Sequence, residues 1–357
     1  MKVYIKFIII TFLRSLFFVT LVMLSLLFIL NTLNELEFFG NIDVDPYFPI
    51  YMSLLNSPAL LFEMFPFIFL LATQLFFISL FNNDEIQIFK YSGLKNSSIL
   101  KIVSFVSFFI GLLIIFLFYN FSSNLKNIYL ELKSKYTADG KYLAVITNNG
   151  LWIKDVIDGK TSIINASKIK DKFLVNTFIT EFNADYDVIR NIKSKKIDIS
   201  NNEWVLIDAK VYKDQSSKEI KQLIKKSNFN YDRIQSLFSN LSSLSLFKLI
   251  DLRKNYLLLN YSTTEVDVQI QKIFSYPFYL TLMTILSAVI MFNTKRFKSS
   301  SLKITIGLFF SVIIYYAFNF FNVMGNTERL SIIISVWLPL LILLLINFLI
   351  LYQINEK

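Results

Sequence analysis

Neither cysteine nor histidine occurs in this chain. Thiol nucleophiles, disulfides, Cys/His zinc sites and imidazole acid–base chemistry are therefore excluded. The chemistry left belongs to carboxylates, lysines and tyrosines, and the most informative group runs Asp84-Glu85-Ile86, Ile88-Phe89-Lys90 and Gly93. Asn82-Asn83-Asp84 reads as a helix start, with Asp84 and Glu85 near the positive end of the helix dipole. Gly93 stands where a helix C-cap is expected. Ile86 and Phe89, three apart, share one face, and Lys90 points elsewhere. A short amphipathic helix of this kind lies along a membrane surface or docks into a partner's groove. Gly159-Lys160-Thr161 imitates the end of a P-loop, but Lys154 occupies the position where the phosphate cradle needs glycine. No other Gly-Lys-Ser/Thr occurs, so the chain does not hydrolyse ATP by itself. Trp152, Trp204 and Trp337 suit core packing and interfacial anchoring better than ligand stacking.

The elements around that helix are membrane spans. Hydrophobic residues make up 54% of the 357, with 38 Phe among them, which does not describe a soluble protein. Apolar runs at 7–30, 64–81, 102–118, 273–292, 304–321 and 330–351 approach or exceed the length that crosses a hydrocarbon core of about 30 Å. The first resembles a secretory leader in its basic start, but it is too long and no small-residue cleavage site follows. It reads as a retained span, with Arg14 either snorkelling toward the lipid phosphates or lining an internal cavity, the first being favoured. Pro46, Pro49 and Pro58 are expected to break regular structure between the first two spans. Formal charge is +10, and its placement sets the orientation. The N-terminus and the 82–101 and 293–303 connections carry the Lys/Arg excess, whereas the first loop is acidic (Glu35, Glu37, Asp43, Asp45). By the positive-inside rule both termini are cytoplasmic and the 120–270 region lies outside.

That outer region is long enough for its own core. Strands are expected at 142–147, 151–157, 173–182, 186–192 and 204–212, with turns at Asn148-Asn149-Gly150 and Asp158-Gly159. Short strands and turns in this order suggest a sandwich or jelly roll. Simple alternation puts Val145 and Phe178 on its inner face. A helical pattern returns over 231–259.

The 84–94 segment resembles the Ser-Glu-Leu-x-Val-Met-Arg-Ala-x-Gly-Ile-Ser pattern of the LptF/LptG permeases, the membrane subunits of the lipopolysaccharide export ABC transporter. Lys95 stands where Ser is common. Gly150-Leu151-Trp152-Ile153-Lys154-Asp155 is similar to a segment of the LptG branch, and Lys272-Ile273-Phe274 with Pro277 is similar to that branch's start of the fourth span. Ser122-Ser123 departs from a proline common after the third span, and Asn31 from a basic residue late in the first.

The resemblance implies an α-helical polytopic membrane protein of six transmembrane helices with an inserted extracytoplasmic all-β jelly-roll-like domain. Its divisions would be 1–119 (spans one to three, with a coupling helix at about 84–93), 120–270 (periplasmic β-domain) and 271–357 (spans four to six). It implies a permease subunit that extracts lipopolysaccharide from the inner membrane and passes it toward the outer membrane. The implied partners are a homologous six-span LptF-like subunit, a cytoplasmic LptB-like ATPase dimer and a single-span LptC-like bridge protein. Neither a cofactor nor nucleic acid is implied. Asp84, Glu85, Ile86, Phe89, Lys90 and Gly93 would form the ATPase-coupling helix. An acyl-chain ligand needs an apolar wall and cations near its phosphates, and Lys126, Lys133 and Lys135, just past the third span, are the candidates. The other reading of the same sequence is a polytopic receptor or scaffold with a ligand-binding outer domain.

Overall fold

The computed structural model describes residues 3–136, 151–157, 159–170, 172–213, 216–231, 234, 240–258, 262–293 and 299–355. The expected strand at 142–147, the turns at 148–150 and Asp158, and the basic residues Lys295, Arg296 and Lys298 lie outside them. Among the described residues six helical stretches are long and apolar enough to cross a membrane. They are α1 (Val3–Phe39), α2 (Phe48–Asn82), the stretch Asn96–Ser134, α7 (Thr264–Asn293), α8 (Ser300–Asn326) and α9 (Ile332–Asn355). The stretch Asn96–Ser134 comprises α4 (Asn96–Leu113), a π-helical segment (Ile114–Tyr119) and α5 (Asn120–Ser134). A seven-residue helix, α3 (Glu85–Tyr91), joins the second span to the third. Each span was legible as an apolar run, but every helix is longer than its run, because polar residues extend the helix past the greasy core.

The chain divides into two compact units. One contains residues 1–129, 242–249 and 264–357; the other contains 130–241 and 250–263.

In the first unit α2 and α7 are the most enclosed helices, while α1 and α8 turn most of their apolar surface outward. Glycines at three contacts set how closely helices approach, one being Gly325 of α8, where a Cβ would lie 2.3 Å from Ser335 Oγ of α9. A Cβ on Gly111 would lie 2.9 Å from the Cα of Pro277, so α4 touches the backbone of α7 there. A Cβ on Gly307 would fall 2.1 Å from Nε2 of Gln74, a fully buried amide that donates to the carbonyl of Lys303 at 2.8 Å. Asn31, Ser53 and Asn56 form a buried polar seam between α1 and α2, with Asn31 Nδ2 donating to Ser53 Oγ at 3.1 Å and Asn56 Nδ2 to Asn31 Oδ1 at 3.1 Å. The expectation that prolines interrupt this region holds for Pro46, in the turn between α1 and α2, and is corrected for Pro49 and Pro58. Pro49 falls in the first turn of α2, where a missing N–H costs nothing, and the helix runs on through Pro58 and Pro66. Pro66 leaves the carbonyl of Phe62 without its helical donor, and the Tyr276 hydroxyl of α7 donates to that carbonyl instead. A neighbouring helix thereby satisfies what the proline removed, which is how membrane helices tolerate proline.

The second unit is built on one antiparallel sheet in sequential order: β1 (Leu151–Ile157), β2 (Lys160–Lys170), β3 (Phe173–Phe182), β4 (Val188–Asp198), β5 (Glu203–Lys213) and β6 (Ser216–Lys226). The sheet curls, because β6 reaches strands that are not its neighbours. Lys225 Nζ donates to Glu181 Oε1 of β3 at 2.6 Å and to Ser162 Oγ of β2 at 3.0 Å, and Arg190 of β4 grips the same carboxylate at 2.6 Å. Beyond β6, Ser227 and Asn228 bond the Asp155 carboxylate of β1, and the buried Trp204 donates to the carbonyl of Phe229 at 2.7 Å. Trp204 is thus a core residue. Within the stretch expected to be helical, α6 occupies Leu246–Leu258.

One expectation about this sheet is reversed. Phe178 lies on the exposed face, and Thr177, Ile179 and Glu181 are buried. Asn176 adopts a left-handed backbone (φ 50°) inside β3. That shifts the alternation by one residue after Leu174, so every side chain beyond it changes face.

Candidate functional site

Two places in the first unit gather the residues singled out by sequence. The first is α3. It begins after Asp84, which takes a left-handed backbone (φ 53°) and receives a bond from Gln87 Nε2 at 3.2 Å; its side chain caps no backbone N–H. The end of the helix follows from Gly93 (φ +78°). Leu94 N donates to Phe89 O and Gly93 N to Lys90 O, both at 2.9 Å, the paired bonds of a Schellman ending that only a left-handed residue allows cheaply.

Ile86 and Phe89 do share a face, and that face is turned onto the chain's own core. Ile86 is buried in a cluster with Ile8, Phe76, Phe77, Ile99 and Phe292, and Phe89 and Leu94 pack against it. The Phe89 ring also meets Phe7 edge-on, with centroids 6.0 Å apart. The helix therefore presents its other side outward: Ile88 is 59% and Tyr91 88% exposed, with Gln87 and Lys90 beside them. Sequence spacing identified which residues travel together but not which group faces in. The signal available was the row of apolar residues on both sides of the helix, Ile88 and Tyr91 included.

Glu85 is the odd member. Burial pushes its carboxyl above the ordinary carboxylate value, against a hydrogen bond from Asn83 that lowers it. Its Oε2 is enclosed without a hydrogen-bond partner among the described residues. A donor from outside would satisfy that acceptor.

The second place is a cavity of about 290 Å³ within the same unit, walled by α2, the π segment with α5, α7, α8 and α9. Its walls are aromatic, with Phe62, Tyr119, Tyr276, Tyr279 and Tyr315 among them. Phe62 and Tyr276 stack at 4.6 Å, and the Tyr119 hydroxyl is held by the carbonyl of Leu244 at 2.9 Å. Tyr119 is the last residue of the π segment, and such local unwinding is frequent at functional sites. Ser122 and Ser123 do not end the helix. Both are buried, and their hydroxyls bond back to the carbonyls of Tyr119 and Asn120 at 3.0 and 3.1 Å. The helix continues to Ser134, and that continuation carries Lys126 to the cavity.

Three charges line the space: Lys126, Lys272 and Glu63. Lys126 Nζ lies 3.9 Å from Glu63 Oε1. Of the three lysines proposed from sequence, Lys126 lines this cavity. Lys133 is buried elsewhere on α5 and Lys135 is exposed beyond its end. Lys272 and Glu63 are additions from the structure. A charged residue at the edge of an apolar span is costly in lipid and marks a functional position by default; that was the signal both carried.

No histidine or cysteine exists to hold a metal, and the described residues contain no cluster of carboxylates that would. No curated protein matches the chain. The family model for the lipopolysaccharide export system permease LptF/LptG matches residues 6–353. With nearly its whole length matched, and with six candidate spans around an inserted antiparallel sheet, the chain belongs to the LptF/LptG family of lipopolysaccharide export permeases.

Proposed function

We propose that this chain is one permease subunit of an ABC exporter in the inner membrane, and that lipopolysaccharide enters through its membrane unit. The observation that carries the reading is the placing of Lys126 and Lys272 on an aromatic wall inside the membrane unit. An amphiphile with acyl chains and phosphates needs both surfaces together. A second six-span subunit would cover apolar surface that α1 and α8 leave exposed. The β-unit would receive the lipid on its way to a periplasmic bridge that includes an LptC-like protein. The LptG branch is favoured by Leu151-Trp152 with Lys154-Asp155 and by Lys272-Ile273 with Pro277.

ATP hydrolysis would belong to a cytoplasmic dimer that docks on α3. The outward group Ile88, Tyr91 and Lys90 is the docking face in this reading, while Ile86 and Phe89 hold the helix to the chain and Asp84 and Gly93 set its ends. Glu85, enclosed and short of a donor, is suited to pair with a basic residue of that dimer. Lys133 and Lys135 would meet lipid phosphates only beyond the cavity.

The test is purification of the tagged chain from native membranes into nanodiscs containing lipopolysaccharide. A second six-span chain and an ATPase should co-purify, with lipid-stimulated ATP hydrolysis. Replacing Lys126 and Lys272 together by Gln should cut that stimulation roughly tenfold or more, since each charge-assisted bond contributes about 1.5–3 kcal/mol. Purification without any ATPase, or stimulation unchanged in the double variant, would overturn the reading.

A further inference from the structure

The cavity contains a carboxylate that an anion site does not need. Glu63 and Lys126 stand 3.9 Å apart, well outside the 2.7–2.9 Å of a contact ion pair, and their side chains are 57% and 13% exposed respectively. The cation is walled in, while the carboxylate lines the same cavity with more than half of its side chain exposed, so it can swing away from Lys126 at little desolvation cost. Lys272 lines the same space, so the described lining carries two ammonium groups and one carboxylate.

We infer that Glu63 is a resident counter-anion: it balances Lys126 while the cavity is empty of lipid and is displaced by the arriving phosphate, whose release it then favours. The inference rests on reading the cavity as the anionic-lipid site. Two unopposed cations in a membrane cavity would be costly when empty, and they would hold a phosphate too firmly for a protein that must hand it on. Transport requires binding that is favourable enough to enter and weak enough to leave. A carboxylate beside the bound phosphate supplies that weakening through like-charge repulsion.

The experiment uses the full chain in nanodiscs of neutral lipid, with a fluorescent phosphatidic acid as probe and phosphatidylcholine of the same chain length as control. Glu63→Gln keeps the shape of the side chain and removes its charge. It should bind phosphatidic acid about tenfold tighter, as expected for removal of one opposing charge, with the gain in slower dissociation. Phosphatidylcholine binding should change less than twofold. Glu63→Asp, which keeps the charge, should stay within about threefold of the parent and guards against a folding artefact. Unchanged or weaker phosphatidic acid binding in Glu63→Gln, with Lys126→Gln still losing the probe, would overturn the counter-anion role and leave the cavity reading intact. If Lys126→Gln and Lys272→Gln also bind the probe as the parent does, the cavity reading itself fails.

Discussion

At the scale of single residues, α3 separates an inward group that packs on the core from an outward group that the proposed function assigns to docking. Ile86 is 4% exposed and belongs to the core, so Ile86→Ala removes buried methyl groups and should cost the chain about 2–5 kcal/mol. Ile88 and Tyr91 touch nothing that would suffer comparably. Their truncation should leave the thermal midpoint of the detergent-purified chain unchanged while reducing the co-purified ATPase, an aromatic anchor such as Tyr91 being worth about 2 kcal/mol or more at an interface. Loss of partner with Ile86→Ala and not with Tyr91→Ala would reverse the assignment. In the β-unit, Glu181 offers a residue-scale test in pH. Burial alone would raise its carboxyl, but the hydrogen bonds and charges of Arg190 and Lys225 outweigh this and hold it below its ordinary value. A depressed carboxylate stabilises the fold above its unfolded pKa, and the contribution disappears as pH falls through the folded value. Glu181→Gln should therefore cost about 3 kcal/mol at neutral pH, and that penalty should shrink below about pH 4.5 as the parent's carboxylate is protonated. Fluorescence of the buried Trp204, in a background with Trp152 and Trp337 replaced by Phe, reports it. A penalty independent of pH would mean that Glu181 acts through packing alone.

At the scale of elements, close approach rather than hydrophobicity decides how the helices meet. A methyl at Gly111 would strike the backbone of α7, which has no rotamer to retreat into. A methyl at Gly307 would strike the end of Gln74, which can move if it gives up the Lys303 carbonyl. Gly307→Ala should thus cost about 1–3 kcal/mol and be partly rescued by adding Gln74→Ala, whereas no side-chain truncation should rescue Gly111→Ala. Thermal unfolding of these three variants and of Gly111→Ala with Leu280→Ala in one detergent separates the cases, and rescue of Gly111→Ala would show that its contact is with a side chain after all. Element-level features differed in how far they could be read from the chain. The strands Leu151–Ile157 and Phe173–Phe182 have the bounds their alternation suggested, and Trp204–Tyr212 extends by one residue at each end. The strand expected at 186–192 runs instead over Val188–Asp198, because Tyr186 turns with φ 63°. β2 and β6 carried no strand signal. β6 has four lysines and its apolar residues at helix-like spacing, Ile220, Leu223 and Ile224; pairing with β5 along its length overrides that local pattern. The lysines then have a purpose that composition could not supply, since charged side chains protect an edge strand from unwanted pairing. The cavity was legible only in part. Lys126 stood out as a cation past an apolar run, but Glu63 and Lys272 acquire meaning from a helix that continues through Tyr119 to Ser134, which the hydrophobicity drop after Phe118 concealed.

At the scale of the whole molecule, the orientation in the membrane is the property on which the functional reading depends. Lys90, Lys95 and Lys101 cluster around α3, and Lys303 starts α8 with its ammonium 5.3 Å from the Phe81 ring centroid. Both clusters fall on one side if six spans alternate, and the positive-inside rule makes that side cytoplasmic. In the proposed orientation the β-unit faces the periplasm, and α3 faces the compartment that contains ATP. The chain's lack of cysteine makes the test direct, because every introduced thiol is the only one. Asn201, between β4 and β5, and Ser92 and Ser299, beside α3 and α8, are exposed, so single cysteines there should fold and react. In intact cells with a permeable outer membrane, a membrane-impermeant maleimide should label the cysteine at 201 and spare those at 92 and 299. After lysis all three should label. The two-compartment result is what the proposed coupling requires, since a docking helix and a lipid-receiving sheet on the same side could not link ATP hydrolysis to export. Labelling of the cysteine at 92 in intact cells would place α3 where no ATPase can reach it, and the docking proposal would fall with the orientation.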